Sequence, residues 1–123
     1  MILVDTSVWI DHIDHGEPIM RDLLMHDRVC IHPYIIGEIS LGSLRDRPIV
    51  LRSLGDLPRC PVASPEEVFY LIEREQIFSR GIGYVNASLL ASARLQPGTT
   101  IWTRDKRLWK IAEELEVAAV LEH

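Results

Sequence analysis

Five short apolar runs punctuate this chain, at 1–5, 28–32, 59–62, 99–102 and 117–120, with longer amphipathic stretches between them. That alternation restricts the fold more than any other feature. It is the pattern of an α/β protein with a parallel sheet, each strand followed by a helical crossover. Helical spacing predicts helices at about 6–13, 16–26, 33–44, 47–56, 65–79, 84–95 and 104–115. Local chemistry supports their starts. Ser64-Pro65-Glu66-Glu67 is a capping box with proline at the first helical position. Pro33 opens another helix, Thr103 is placed to cap the last one, and Gly81-Ile82-Gly83 breaks the chain before residue 84.

At 123 residues the chain is expected to be one domain. Its 47% hydrophobic and 25% charged residues are those of a soluble globular protein. No apolar run approaches the ~20 residues of a membrane span, and Met1 leads straight into a strand without a signal peptide, so a cytoplasmic protein is expected. Cys30 and Cys60 both fall in buried strands and are expected as reduced core thiols rather than a disulfide. A net charge of −5 argues against polyanion binding by the whole surface, though not against a metal-neutralised acidic site. Leu121-Glu122-His123 resembles the start of a polyhistidine tag, which leaves 1–120 as the domain.

Four polar residues stand where charge is costly. Asp5 ends the first apolar run. Glu38 shares a helical stripe with Ile35 and Ile39, Asn86 with Leu89, Leu90 and Ala93, and Asp105 with Leu108, Trp109 and Ala112. An inward carboxylate needs a cation or hydrogen bonds to offset its desolvation. In open parallel sheets, sites form beyond the carboxyl ends of the strands, and Asp5 and Asp105 both follow a strand directly. Several acids converging there, with no Lys or Arg among them, suit Mg²⁺ or Mn²⁺, which prefer carboxylate oxygens. Such ions turn water into a nucleophile and stabilise the leaving oxygen of a phosphodiester. Read singly, Asp5 is equally a helix cap and Asp105 a complement to a helix dipole.

The chain resembles the PIN-domain ribonucleases of the VapC type, the toxins of bacterial and archaeal toxin–antitoxin pairs. The resemblance rests on Val4-Asp5-Thr6-Ser7-Val8-Trp9-Ile10, Gly37-Glu38-Ile39-Ser40-Leu41-Gly42, Gly81-Ile82-Gly83-Tyr84-Val85-Asn86-Ala87, Leu89-Leu90-Ala91-Ser92-Ala93 and Trp102-Thr103-Arg104-Asp105-Lys106-Arg107-Leu108. It implies a three-layer α/β/α PIN-like fold around a parallel sheet of four to five strands. It further implies a Mg²⁺ site in which Mn²⁺ can substitute, endonucleolytic cleavage of RNA, an antitoxin partner and a homodimer.

Position by position, Asp5, Glu38 and Asp105 match the family's acids, and Thr6, Ser7 and Thr103 match hydroxyls that support them. Asn86 departs from the pattern, where the family usually has Asp. An amide keeps a carbonyl acceptor but removes a charge, so metal affinity and water activation should fall. With the tag-like tail, Asn86 is read as an inactivating replacement of Asp; a natural Asn is the alternative.

Arg80, Arg104, Lys106 and Arg107 flank the expected crevice and suit RNA phosphates, or are ordinary solvated charges. Asp11, Asp14, Glu113, Glu114 and Glu116 are expected in solvent, and His12, His15, His26 and His32 show no catalytic or zinc spacing. Trp9, Ile10, Ile13, Leu23 and Leu24 crowd the first two helices with more apolar surface than the pair need bury against the sheet, so a homodimer with a separate apolar groove for an antitoxin segment is expected; the alternative is that all five fill the core. A receiver domain is excluded because the third apolar run ends Cys60-Pro61-Val62-Ala63, with no acid to accept a phosphoryl group. A haloacid-type phosphatase is excluded because Asp5-Thr6-Ser7 lacks a second acid. The remaining rival is a binding module on a nuclease-like scaffold, supported by Asn86.

Overall fold

The computed structural model describes residues 1–121; the expectation that Glu122 and His123 belong to a tag lies outside them. Three strands, β1 (Ile2–Val4), β2 (Val29–Cys30) and β3 (Thr100–Trp102), form a parallel sheet in the order β2-β1-β3. Single parallel bridges, Ile31 to Arg59 and Ile101 to Ala118, extend it at both edges. The five expected runs are therefore all adjacent, but the outer two pair through one residue each instead of forming strands. Pro58 and Pro61 flank the bridge at Arg59, and a proline offers no N–H to a ladder.

Among the described residues seven helices surround the sheet: α1 (Thr6–His15), α2 (Pro18–Met25), α3 (Pro33–Ser40), α4 (Arg47–Gly55), α5 (Pro65–Arg74), α6 (Tyr84–Leu95) and α7 (Lys106–Glu114). The chain thus has the α/β architecture expected of it. Five helices, α2, α3, α4, α5 and α7, are shorter than their patterns. α3 stops at Ser40 and α5 at Arg74, before a turn in which Gln76 and Ser79 take positive φ. α7 begins at Lys106 because Asp105, not Thr103, is its N-cap. The capping box of Ser64 and Glu67 forms as expected.

Fully buried Leu3, Ile31, Ile35, Ile39, Leu89 and Ile101 fill the core. α6 is buried without a break from Ala87 to Ala93, and its Ala and Ser side chains let α5 and β3 approach closely. Burying Ser92 and Ser88 requires partners. Ser88 donates to the Tyr84 carbonyl at 2.9 Å, and Ser92 serves a larger arrangement around His32.

One expectation fails here. Cys30 and Cys60 form a disulfide rather than free thiols. The Ile31–Arg59 bridge sets them side by side with Cα atoms 5.2 Å apart, within the usual range for a crosslink. His32, whose spacing suggested neither catalysis nor zinc, has a structural place instead: it is buried at the carboxyl end of β2 and caps α3. The Tyr34 N–H donates to its Nδ1 at 3.1 Å, so the ring proton sits on Nε2, which donates to Ser92 Oγ at 3.1 Å. The Ala63 N–H donates to the same oxygen at 3.3 Å. One neutral imidazole therefore ties β2, α3, α6 and the 60–63 segment together.

Burial lowers the His32 pKa from 6.5 to about 4. A histidine depressed in the native state stabilises the fold above its unfolded pKa and loses that contribution as pH falls. The urea midpoint is therefore expected to fall as pH drops from 6.5 toward 4. His32→Asn, which retains a capping acceptor but does not titrate, should remove that part of the slope. Parallel pH profiles for the two proteins would refute the assignment.

Candidate active site

Asp5 leaves β1 at its carboxyl end and caps α1, and only 8% of it is exposed. Its backbone N–H donates to the Trp102 carbonyl at 2.9 Å, continuing the β1–β3 ladder past the sheet. Its two oxygens have separate partners. The Thr6 N–H donates to Oδ1 at 2.8 Å, and the Thr103 hydroxyl donates to Oδ2 at 2.7 Å.

Each of those threonines carries the network to another acid. Thr6 Oγ1 donates to Glu38 Oε1 at 2.8 Å, from α1 to α3. The Asp105 N–H donates to Thr103 Oγ1 at 3.1 Å. Asp105 in turn caps α7, its Oδ1 accepting from the Arg107 and Leu108 N–H groups at 2.9 and 3.1 Å. Thr103 is thus an acceptor toward one acid's backbone and a donor toward the other's carboxylate. Glu38, Thr6, Asp5, Thr103 and Asp105 form one continuous chain of hydrogen bonds along the carboxyl edge of the sheet.

The expected inward burial of all four polar residues is corrected. Asp5 alone is buried; Glu38 and Asp105 are exposed, and Asn86 is half-buried. Asp105 is exposed because it precedes α7 instead of lying on its stripe. Asn86 occupies the third position of α6, and no side-chain hydrogen bond among the described residues ties it to the acids. Nor do the side chains as placed bring three His, Cys, Asp or Glu residues into a metal-holding group among the described residues. The donor chemistry nonetheless suits a hard divalent cation. The carboxylates and Asn86 offer only oxygen; both Asp5 oxygens are hydrogen-bonded, while Glu38 Oε2 and Asp105 Oδ2 make no hydrogen bond among the described residues.

Ser7, Arg104, Asp105, Lys106 and Arg107 line an open cleft of about 570 Å³. Three cations therefore lie beside the acidic row. Arg107 packs over Gly81, whose φ is +83°, and a Cβ there would sit 2.8 Å from the Arg107 guanidinium. Two of the four expected RNA contacts, Arg80 and Arg104, are engaged in ion pairs. Arg80 makes a bidentate pair with Glu114 at 2.7 and 2.7 Å, which raises the arginine's pKa and lowers the glutamate's. Arg104 pairs with Asp11 and with Glu17, the latter at 2.6 Å. Those bonds raise its pKa, Glu17 contributing most among the partners. Asp11 and Glu114, expected in solvent, are thus ion-paired; their partners lie 93 and 34 residues away, beyond any local pattern.

A second depression lies between α1, α2 and α4. It encloses about 380 Å³ and is lined by Trp9, His12, Ile13, Leu24, Ile49 and Leu57 among others. Ile10, Ile13 and Leu24 are only half-buried, so the crowded apolar residues of the first two helices do not all enter the core. His12 borders this groove, and burial together with nearby Arg21 lowers its pKa.

Comparison with known proteins gives the family. The family model described as PIN domain matches residues 2–114. Ribonuclease VapC32 of Mycobacterium tuberculosis, in each of two strains, is 44% identical over 118 residues, covering 96% of this chain and 95% of the relative. The matched span takes in the whole row of acids and hydroxyls from Asp5 to Asp105, and the chain belongs to the PIN-domain family, in its VapC branch.

Proposed function

We propose that the protein is a metal-dependent endoribonuclease and the toxin of a toxin–antitoxin pair, acting in the cytoplasm on structured RNA. One observation carries the reading. Three acids matching a ribonuclease family are joined through Thr6, by its N–H and hydroxyl, and through the Thr103 hydroxyl at the carboxyl edge of the sheet, beside a cationic cleft.

Asp5, Glu38 and Asp105, with the carbonyl of Asn86, would hold Mg²⁺ or Mn²⁺. When bound, such an ion lowers the pKa of water and stabilises the leaving oxygen of a phosphodiester. The chain's own residues do the positioning. Thr103 and Thr6 orient Asp5 and Glu38, and Lys106 and Arg107 meet RNA phosphates. The groove of Trp9, Ile13 and Leu24 receives an apolar segment of the antitoxin. The protein works as a homodimer. That no helix among the described residues is long and apolar enough to cross a membrane accords with this reading.

Asn86 supports the rival reading, a binding module with little cleavage of its own. Its amide lowers the negative charge of the donor set by one. Metal-dependent cleavage assays on the unaltered chain and on Asn86→Asp separate the two readings. Cleavage by Asn86→Asp that EDTA abolishes and Mn²⁺ restores is the expected result. Intact RNA with abundant metal and no antitoxin present would defeat the ribonuclease reading.

Within an active background, Asp5→Asn should lower kcat by about a hundredfold or more, because it removes a ligand and not merely its support. Thr103→Val should cost about 10–100-fold, the range for residues that orient a ligand. Rates for Thr103→Val equal to those of its parent would show that the hydroxyl does not position Asp5.

Calorimetry is expected to show Mn²⁺ binding more tightly to Asn86→Asp than to the unaltered chain. Equal affinities would place residue 86 away from the metal.

A further inference from the structure

Arg104 lies between two members of the site, Thr103 and Asp105, yet its side chain turns away from both. It reaches Asp11 on α1 and Glu17, the residue that precedes α2. Its guanidinium carbon stands 5.8 Å from the centroid of the Trp102 ring, within cation–π range. The receiving side is itself braced, since the Glu17 N–H donates to His12 Nδ1 at 3.1 Å across the α1–α2 turn. Two carboxylates against one guanidinium leave this cluster with a net negative charge, which disfavours a phosphate. Lys106 and Arg107 line the same cleft and have no ion pair among the described residues.

We propose that Arg104 is a positioning residue, clamping the β3–α7 loop to α1 through Asp11 and Glu17 so that Asp105 keeps its place relative to Asp5. Asp5 heads α1 and Asp105 heads α7; only Thr103 links them directly. The clamp supplies a second attachment between the same two elements, farther along α1. Arginine suits the task because its planar fork engages two carboxylates while stacking on a ring, which a lysine point charge does not. The pairs are largely exposed, so their effect on global stability is small. What they change is the freedom of one loop.

The clamp's value for catalysis rests on the ribonuclease reading, but its existence does not. Hydrogen exchange by NMR reports the Arg107 and Leu108 amides, which Asp105 Oδ1 protects. Arg104→Gln is expected to speed their exchange about two- to fivefold, the equivalent of losing an exposed ion pair. The Asp11→Asn, Glu17→Gln double variant should do the same, and Arg104→Lys should recover only part of the protection. Thermal unfolding should hardly move in any of them.

Binding of a labelled mixed-sequence single-stranded RNA, measured against salt in EDTA, provides the second arm. Arg104→Gln should leave the slope of log K on log salt unchanged, while Lys106→Gln or Arg107→Gln lowers it by about 0.7, one phosphate contact on a single strand. Unchanged exchange at Arg107 and Leu108 would overturn the proposal, as would a lowered slope for Arg104→Gln. If the unaltered chain binds no RNA at low salt, the ribonuclease reading loses its support, and the exchange data still decide the clamp.

Discussion

The requirement that a buried carboxylate be fully hydrogen-bonded organises this end of the molecule. Asp5 sits where the sheet is already dry, and an unpaired charge there is costly. Both of its oxygens are satisfied from within, one by the helix it caps and one by Thr103. The second bond is possible only because β1 and β3 run parallel with Val4 opposite Trp102, which sets the next residues of each strand side by side. A one-residue slip would turn Thr103 away from Asp5, since successive strand residues face opposite sides. Sheet register and site geometry are therefore the same fact viewed from two ends.

From that anchor the network spreads through small hydroxyls rather than through direct contacts between acids. Threonine suits this because its one proton and two lone pairs let it donate to a carboxylate while accepting from a backbone N–H. Thr103 uses both capacities. The arrangement spaces like charges apart and still couples them. The cations obey a similar division. Arg80 and Arg104 are committed to carboxylates inside the chain, whereas Lys106 and Arg107 face the cleft. Net negative charge thus coexists with a cationic rim beside the site.

How far the sequence foretold this depends on whether the signal was local. The alternation of apolar runs located all five ribbons, and Asp5 was legible because it ends one of them. Glu38 was placed correctly in sequence but wrongly in depth. On a helix it stands about 60° from Ile35 and about 100° from Ile39, so it borders their stripe instead of joining it. Asp105 looked like a stripe residue only if α7 began early; as the N-cap it stands outside the helix. Cys30 with Cys60, His32 with Ser92, and Arg104 with Asp11 are partners across turns of the fold, separated by 30, 60 and 93 residues. No periodicity carries that information. The run at 59–62 was expected as a strand, and Pro58 and Pro61 explain why it pairs only at Arg59, because proline withholds the N–H a strand needs.

Asn86 is the residue whose identity the fold leaves most open. It occupies the third position of α6, after Gly83, which supplies no side-chain cap. Backbone N–H groups in a first helical turn lack intrahelical partners, and the helix dipole there favours negative charge. A carboxylate at 86 would therefore be stabilised locally, and half-burial is no obstacle to it. Asp5, by contrast, is held by bonds to both oxygens, and an amide in its place would present an NH₂ group to one of two donors. Stability thus demands an acid at position 5, whereas helix chemistry at position 86 accepts either Asn or Asp. Under the proposed function, the choice between them at 86 falls to the chemistry of the site, where a single charge would alter the donor set without disturbing the scaffold that presents it.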